Sequence, residues 1–253
     1  MSANRGAKIT LSWLEHSRAQ RIVWLLEELN LSYDLKAYER DNQRAPPELR
    51  QIHPLGKSPI VTILYPDTVS PRVVAESAAV VEHLVENFEG HNLVPKRFEG
   101  NSENKFGRET EEWARYRYYM HYAEGSLMPL LVTQILMNAI KSAPVPFFIK
   151  PATKLIAGKV SNEYLEGNYK TTFNFLESQL ATSPGGGEFL CGKNLSAADI
   201  LMSFPILVAF EVAISKEQYP RLAAYAGRLQ AIEGYKKAIK KVEDMEGVPY
   251  KLL

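Results

Sequence analysis

The chain reads His53-Pro54-Leu55-Gly56-Lys57-Ser58-Pro59-Ile60-Val61: a glycine turn, a lysine, and a proline that opens an apolar run. A carboxylate and a hydroxyl, Glu76-Ser77, follow where a second short run gives way to helical spacing. The turn-rich segment 65–71, with Pro66, Asp67 and Pro71, separates the two runs. A strand–loop–strand–helix unit of this kind offers open backbone on one side and a helix N-terminus on the other. That geometry suits a peptide-like ligand with an anionic end.

The flanking patterns extend this unit. Residues 9–13 are apolar and alternate, as a strand requires. From Ser17 the spacing turns helical, with Ile22, Leu25, Leu26 and Leu29 on one face and Asn30 as the stop. Residues 33–38 read as a second strand, and Ala45-Pro46-Pro47-Glu48-Leu49 opens a short helix, since proline suits a first helical turn. Residues 60–64 and 72–75 read as a hairpin, and residues 77–88 as a helix. The order predicts a small mixed sheet with helices on both faces. Gly90-His91-Asn92-Leu93-Val94-Pro95 reads as a linker. Beyond it the strand signals fade into helical patterns over 106–140, 151–180, 196–210 and 221–242, interrupted by Ser183-Pro184-Gly185-Gly186-Gly187. The fold class is therefore an α/β domain followed by an all-α domain, with boundaries at 1–92, a linker at 93–105, and 106–253.

Composition narrows the function classes. A net charge of +1 gives no case for nucleic acid or an anionic membrane as the main partner. The opening Met1-Ser2-Ala3-Asn4-Arg5-Gly6 lacks the apolar run of a secretory signal. No stretch reads as long and apolar enough to span a bilayer; the strongest, residues 200–207, is short and contains Pro205. A single cysteine, Cys191, excludes an intramolecular disulfide or a Cys-x-x-Cys site, and a reduced cytoplasmic setting is expected.

Taken together, Ser58-Pro59, Glu76-Ser77, the opening Trp13-Leu14-Glu15-His16-Ser17-Arg18-Ala19-Gln20-Arg21 and the later Leu195-Ser196-Ala197-Ala198-Asp199-Ile200 resemble the glutathione transferase family over nearly the whole chain. The wording is most similar to its serine-type yeast and bacterial branch. The resemblance implies a thioredoxin-like first domain, a helical second domain, glutathione as co-substrate without a metal, a homodimer, and detoxification by thiol conjugation to hydrophobic electrophiles. A non-catalytic carrier or regulatory module of the same fold, and a glutathione-dependent peroxidase or lyase, remain open alternatives.

The resemblance gives each motif a second reading beside its structural one. Ser17 would cap a helix, or donate to the glutathione sulfur and favour its thiolate. Pro59 would open an edge strand, or follow a cis bond that turns the Ser58 backbone toward the cysteinyl unit. Glu76 and Ser77 would begin a helix, or hold the γ-glutamyl end. Lys57 would be a solvated charge or a partner for the glycyl carboxylate, with Arg44 and His53 as weaker candidates. Tyr118, His121, Tyr122 and Ser126 would pack a helix or wall the electrophile pocket, where some relatives hold a water. Cys191 reads as a buried small hydrophobe. Ser196 and Asp199 read as a capping box, a structural device.

Overall fold

The computed structural model describes residues 3–42, 44–100 and 105–253. Four strands, β1 (Lys8–Leu14), β2 (Asp34–Tyr38), β3 (Ile60–Leu64) and β4 (Arg72–Ala75), form one sheet in the order β2-β1-β3-β4. β1 and β2 are parallel, while β1–β3 and β3–β4 are antiparallel. Helix α1 (Gln20–Glu28) makes the crossover between the parallel pair. It ends as Asn30 adopts φ 50° and the Leu31 N–H returns to the Leu26 carbonyl at 3.0 Å. Asparagine tolerates that left-handed turn better than most residues. Helix α3 (Ser77–Asn87) contributes Val80, Val81 and Leu84 to the same core, while α2 (Leu49–Ile52) covers a smaller cluster of Leu14, Leu49 and Ile60.

The supposed linker is partly structured: Gly90–Leu93 forms a 3-10 turn. Residues 101–104 of the expected linker lie outside the described residues. Helices follow as α4 (Glu111–Tyr122), α5 (Met128–Ser142), α6 (Lys150–Val160), α7 (Glu166–Ala181), α8 (Ala197–Val212), α9 (Pro220–Ala231) and α10 (Glu233–Glu246). Two π-helical turns, Ala123–Leu127 and Ser161–Leu165, join α4 to α5 and α6 to α7. The helical patterns read over 106–140 and 151–180 gave no sign of either turn. The single pattern expected over 221–242 breaks at Ile232, whose backbone is extended.

One expectation requires correction. The continuous helix Glu111–Ser142 is long and apolar enough, by length and composition, to cross a membrane. Charges at Glu111, Glu112, Arg115 and Arg117 had disguised it. It buries Tyr116, Tyr119, Met120, Ala123, Leu127 and Leu131, and 39% of its most apolar stretch is buried. The central α8 is buried through nearly its whole length and begins at a complete Ser196–Asp199 capping box.

Candidate active site

The turn between β1 and α1 sets a buried Ser17 between the half-buried His16 and Arg18. His16 takes φ 48°, and the Ala19 N–H donates to the Ser17 Oγ at 3.2 Å. The α1 N-cap is Ala19, without a side-chain bond, so Ser17 stands two residues ahead of the cap. Its Oγ lies 3.2 Å from the Ser58 Oγ, and Ser58 donates to the Ser12 carbonyl at 3.3 Å. A hydroxyl has one proton. With the Ser58 proton on Ser12, Ser17 is the donor of the pair, and an acceptor in the cleft can compete for that proton.

This pair opens on a cleft of about 350 Å³. One end is polar, built from His16, Arg18, Arg40, Lys57 and Ser58. The opposite wall is apolar: Met128, Val132 and Ile135 from α5, and Phe204 and Val208 from α8, with Leu253 at its edge. Arg40 is fixed through Glu15: its N–H donates to the Glu15 Oε1 at 2.8 Å, its Nε to the Glu15 carbonyl at 3.1 Å, and its Nη2 to the His16 carbonyl at 3.0 Å. Lys57 follows Gly56, which has φ 57° and where a Cβ would meet the Arg50 Cγ at 2.6 Å. Only glycine fits that turn without displacement. The Ser58–Pro59 peptide is cis.

A second cluster lies at the start of α3. Glu76 holds φ 70°, a conformation uncommon outside glycine, where β4 turns into the helix. The buried Ser77 Oγ accepts from the Arg21 Nη2 at 2.9 Å. Arg21 is wholly buried, donates to the Leu201 carbonyl at 2.7 Å and pairs with Glu124. Glu124 also takes the Arg18 Nη1 at 2.7 Å. Burial pulls the Arg21 guanidinium down to about 10 against the opposing pull of Glu124, so it stays charged at neutral pH. Arg18 and Arg21 share Glu124 near Ser77, with Glu76 as a second carboxylate, and the free α3 amides are the group here that favours an anion.

Known proteins decide the family. A family model described as the glutathione S-transferase N-terminal domain matches residues 8–86, and one described as the glutathione S-transferase C-terminal domain matches residues 142–241. The chain is 34% identical to glutathione S-transferase 1 of Saccharomyces cerevisiae over 92% of its length and 94% of that protein. The chain belongs to the glutathione S-transferase family. It is also 31% identical to glutathione S-transferase 3 of Schizosaccharomyces pombe, over 93% of this chain and 88% of that one. Among solved structures, a glutathione S-transferase from Actinobacillus pleuropneumoniae matches with a TM-score of 0.64 at 27% identity, covering 93% of each chain.

Within this glutathione S-transferase fold, the predicted residues separate into groups. Ser17, Lys57 and Ser58 share the cleft. Pro59 is buried behind it. Glu76 and Ser77 do not line the cleft; Ser77 connects to the Ser17 turn through Arg21, Glu124 and Arg18. Arg44 is exposed and its backbone pairs with Asp41, while the His53 Nδ1 accepts from the Leu55 N–H at 3.4 Å; neither reaches the cleft lining. Tyr118, His121, Tyr122 and Ser126 do not line the Ser17 cleft. They line a separate recess together with Ala114, Arg117 and Gly125. The inward face of α4 is Tyr116, Tyr119 and Met120, and the wall facing Ser17 is supplied by α5, beyond the π turn.

Sequence reading missed His16, Arg18, Arg21, Arg40 and Glu124. Arg18 and Arg21 differ by one near-turn of helix, which is the one local signal they share. The His16 Nδ1 has no hydrogen-bond partner among the described residues. Cys191 is buried, and burial pushes its thiol well above the usual cysteine value.

Proposed function

We propose that this transferase binds glutathione across the Ser17 turn, lowers the pKa of its thiol with the Ser17 hydroxyl, and directs the sulfur at a hydrophobic electrophile held against α5 and α8. One observation carries the reading: the Ser17–Ser58 hydroxyl pair at 3.2 Å sits where the cleft changes from cationic to apolar. A thiol of pKa about 8.5 is mostly protonated at neutral pH. A donated hydroxyl proton stabilises the thiolate, and the site holds it beside its target. The sulfur lone pair then forms the new C–S bond, the leaving group departs with its electron pair, and the thiol proton passes to solvent.

The cationic end assigns the remaining contacts. Lys57 and Arg40 suit the glycyl carboxylate, the Ser58 backbone the cysteinyl unit, and Ser77 with the α3 amides the γ-glutamyl carboxylate. Glu76 suits the ligand amine. Arg44 and His53 lie beyond the first ring of contacts. We assign residues 1–92 and 106–253 as the two domains, joined by 93–105. The outer aromatic face of α4, where Tyr118 stacks on Tyr122 at 5.2 Å, is assigned to homodimer contact. A cytoplasmic detoxifying role fits this chemistry. Retention on glutathione resin, combined with turnover of a chloronitroaromatic, tests the reading. Retention without turnover makes the chain a carrier, and loss of both removes the proposal.

A further inference from the structure

Between Glu124 and Glu163 the sequence contains no acidic residue but four lysines, Lys141, Lys150, Lys154 and Lys159. The overall charge of +1 conceals this basic stretch. The same region, 132–164, holds more than half of the large apolar side chains standing in solvent among the described residues. Phe147 is 83% exposed, Phe148 69%, Leu155 73% and Ile156 60%. Phe147 and Phe148 pack edge to face at 5.6 Å in the turn between α5 and α6. In α6, Ala157 is the single fully buried residue, and Leu155 and Ile156 stand exposed a few residues beyond the two phenylalanines. Large apolar side chains gathered in solvent mark a contact site in a folded protein.

The charges around this edge narrow what covers it. Lys159 lies 3.8 Å from Glu163, but both side chains are well exposed and such a pair is weak. Lys141 donates to the Ser161 Oγ at 3.4 Å. Among the described residues, no carboxylate lies within ion-pair distance of Lys141, Lys150 or Lys154. A second copy seated here would bring no carboxylate from 125–162 to answer these lysines. An anionic bilayer answers both features: aromatic and aliphatic tips enter the headgroup boundary while lysine stems reach lipid phosphates. The edge also adjoins the cleft, because Val132 lines the cleft while 45% exposed, and Leu136 follows one turn later on α5.

We propose that the α5–α6 turn and the outer edge of α6 seat this protein reversibly on anionic phospholipid surfaces. The test is flotation of the full chain with phosphatidylcholine vesicles containing about 30% phosphatidylserine, an anionic fraction chosen to give a strong surface potential. The wild type is expected to float with them, and to do so at least about tenfold less well with pure phosphatidylcholine or in roughly 500 mM salt, where the Debye length is short. Phe147→Glu/Phe148→Glu is expected to lower partitioning by about tenfold or more. Lys150→Gln/Lys154→Gln should lower it about fivefold per charge. Both variants should keep the wild-type melting midpoint and their retention on glutathione resin, which separates this idea from the proposed activity. Failure of the wild type to float, equal flotation of folded variants, or binding indifferent to lipid charge and salt overturns it. So does sedimentation showing that the wild type self-associates and the Phe147→Glu/Phe148→Glu variant does not, which would give the face to a second copy.

Discussion

Ser196 and Ser77 both stand at the start of a helix, yet they are used in opposite ways. Ser196 closes on its own helix: its Oγ bonds the Asp199 carboxylate at 2.5 Å, and Asp199 also receives the N–H groups of Ser196 and Leu190 and the Tyr225 hydroxyl. That network is fully buried and complete. Ser77 instead accepts from Arg21, and its own proton has no partner assigned by that bond. Its supporting carboxylate, Glu124, comes from the helical part of the chain and bridges two arginines, one of which lines the cleft. A closed polar cluster stabilises a fold. An open one, with spare donor capacity, leaves room for a further partner.

Substitutions can break that contrast, and the closed cluster should respond most. Asp199→Ala leaves several buried donors unmatched and should cost about 3–4 kcal/mol in denaturant unfolding, with glutathione affinity nearly unchanged. A large rise in glutathione KM at constant stability would reverse the roles of the two clusters. Glu124→Gln leaves the buried Arg21 without its counter-charge. It should cost about 2 kcal/mol of stability and weaken glutathione binding as well, because it disturbs both the domain junction and the anion site. Ser77→Ala should weaken glutathione binding about tenfold, near 1.4 kcal/mol, with stability altered by less than about 1 kcal/mol; equal binding by titration calorimetry would remove Ser77 from the site.

Ser17→Ala should leave the fold and most of the binding intact. Its hydroxyl favours the charged thiolate, so the wild type holds the bound thiol below its free value. Removal moves that ionisation upward by about one pH unit, or ~1.4 kcal/mol. Conjugation then falls at neutral pH and recovers as pH rises. Thiolate absorbance of the bound tripeptide reads this directly, and an unmoved titration assigns activation to another group, with His16 the nearest candidate in the cleft.

How far the sequence disclosed these clusters follows from the distance between their parts. The capping box spans four residues, and its pattern survives translation into structure unchanged. The bounds of β3 and β4, and the glycine turn before Lys57, were legible for the same local reason. Arg21 and Glu124 lie 103 positions apart, and no periodicity links them. The facing of the α4 residues was hidden for a different cause. Tyr118 and His121 carry the right chemistry on the right helix, but a helical side chain's direction depends on packing that spacing alone does not specify. Net charge failed as an average: a value near zero says nothing about four lysines gathered without a carboxylate between them.

Cys191 has a practical consequence. Its thiol is almost fully buried, next to Leu190, whose N–H donates to the Asp199 carboxylate, at the wall of a cavity shared with His91 and Asn92. As Cys191 is the one cysteine of the chain, a thiol-trapping reagent added to the native protein samples the opening of this junction. The rate of trapping is a built-in clock for that opening. It can be read while the cleft is empty or filled, and so reports whether occupancy of one half of the molecule is felt in the other.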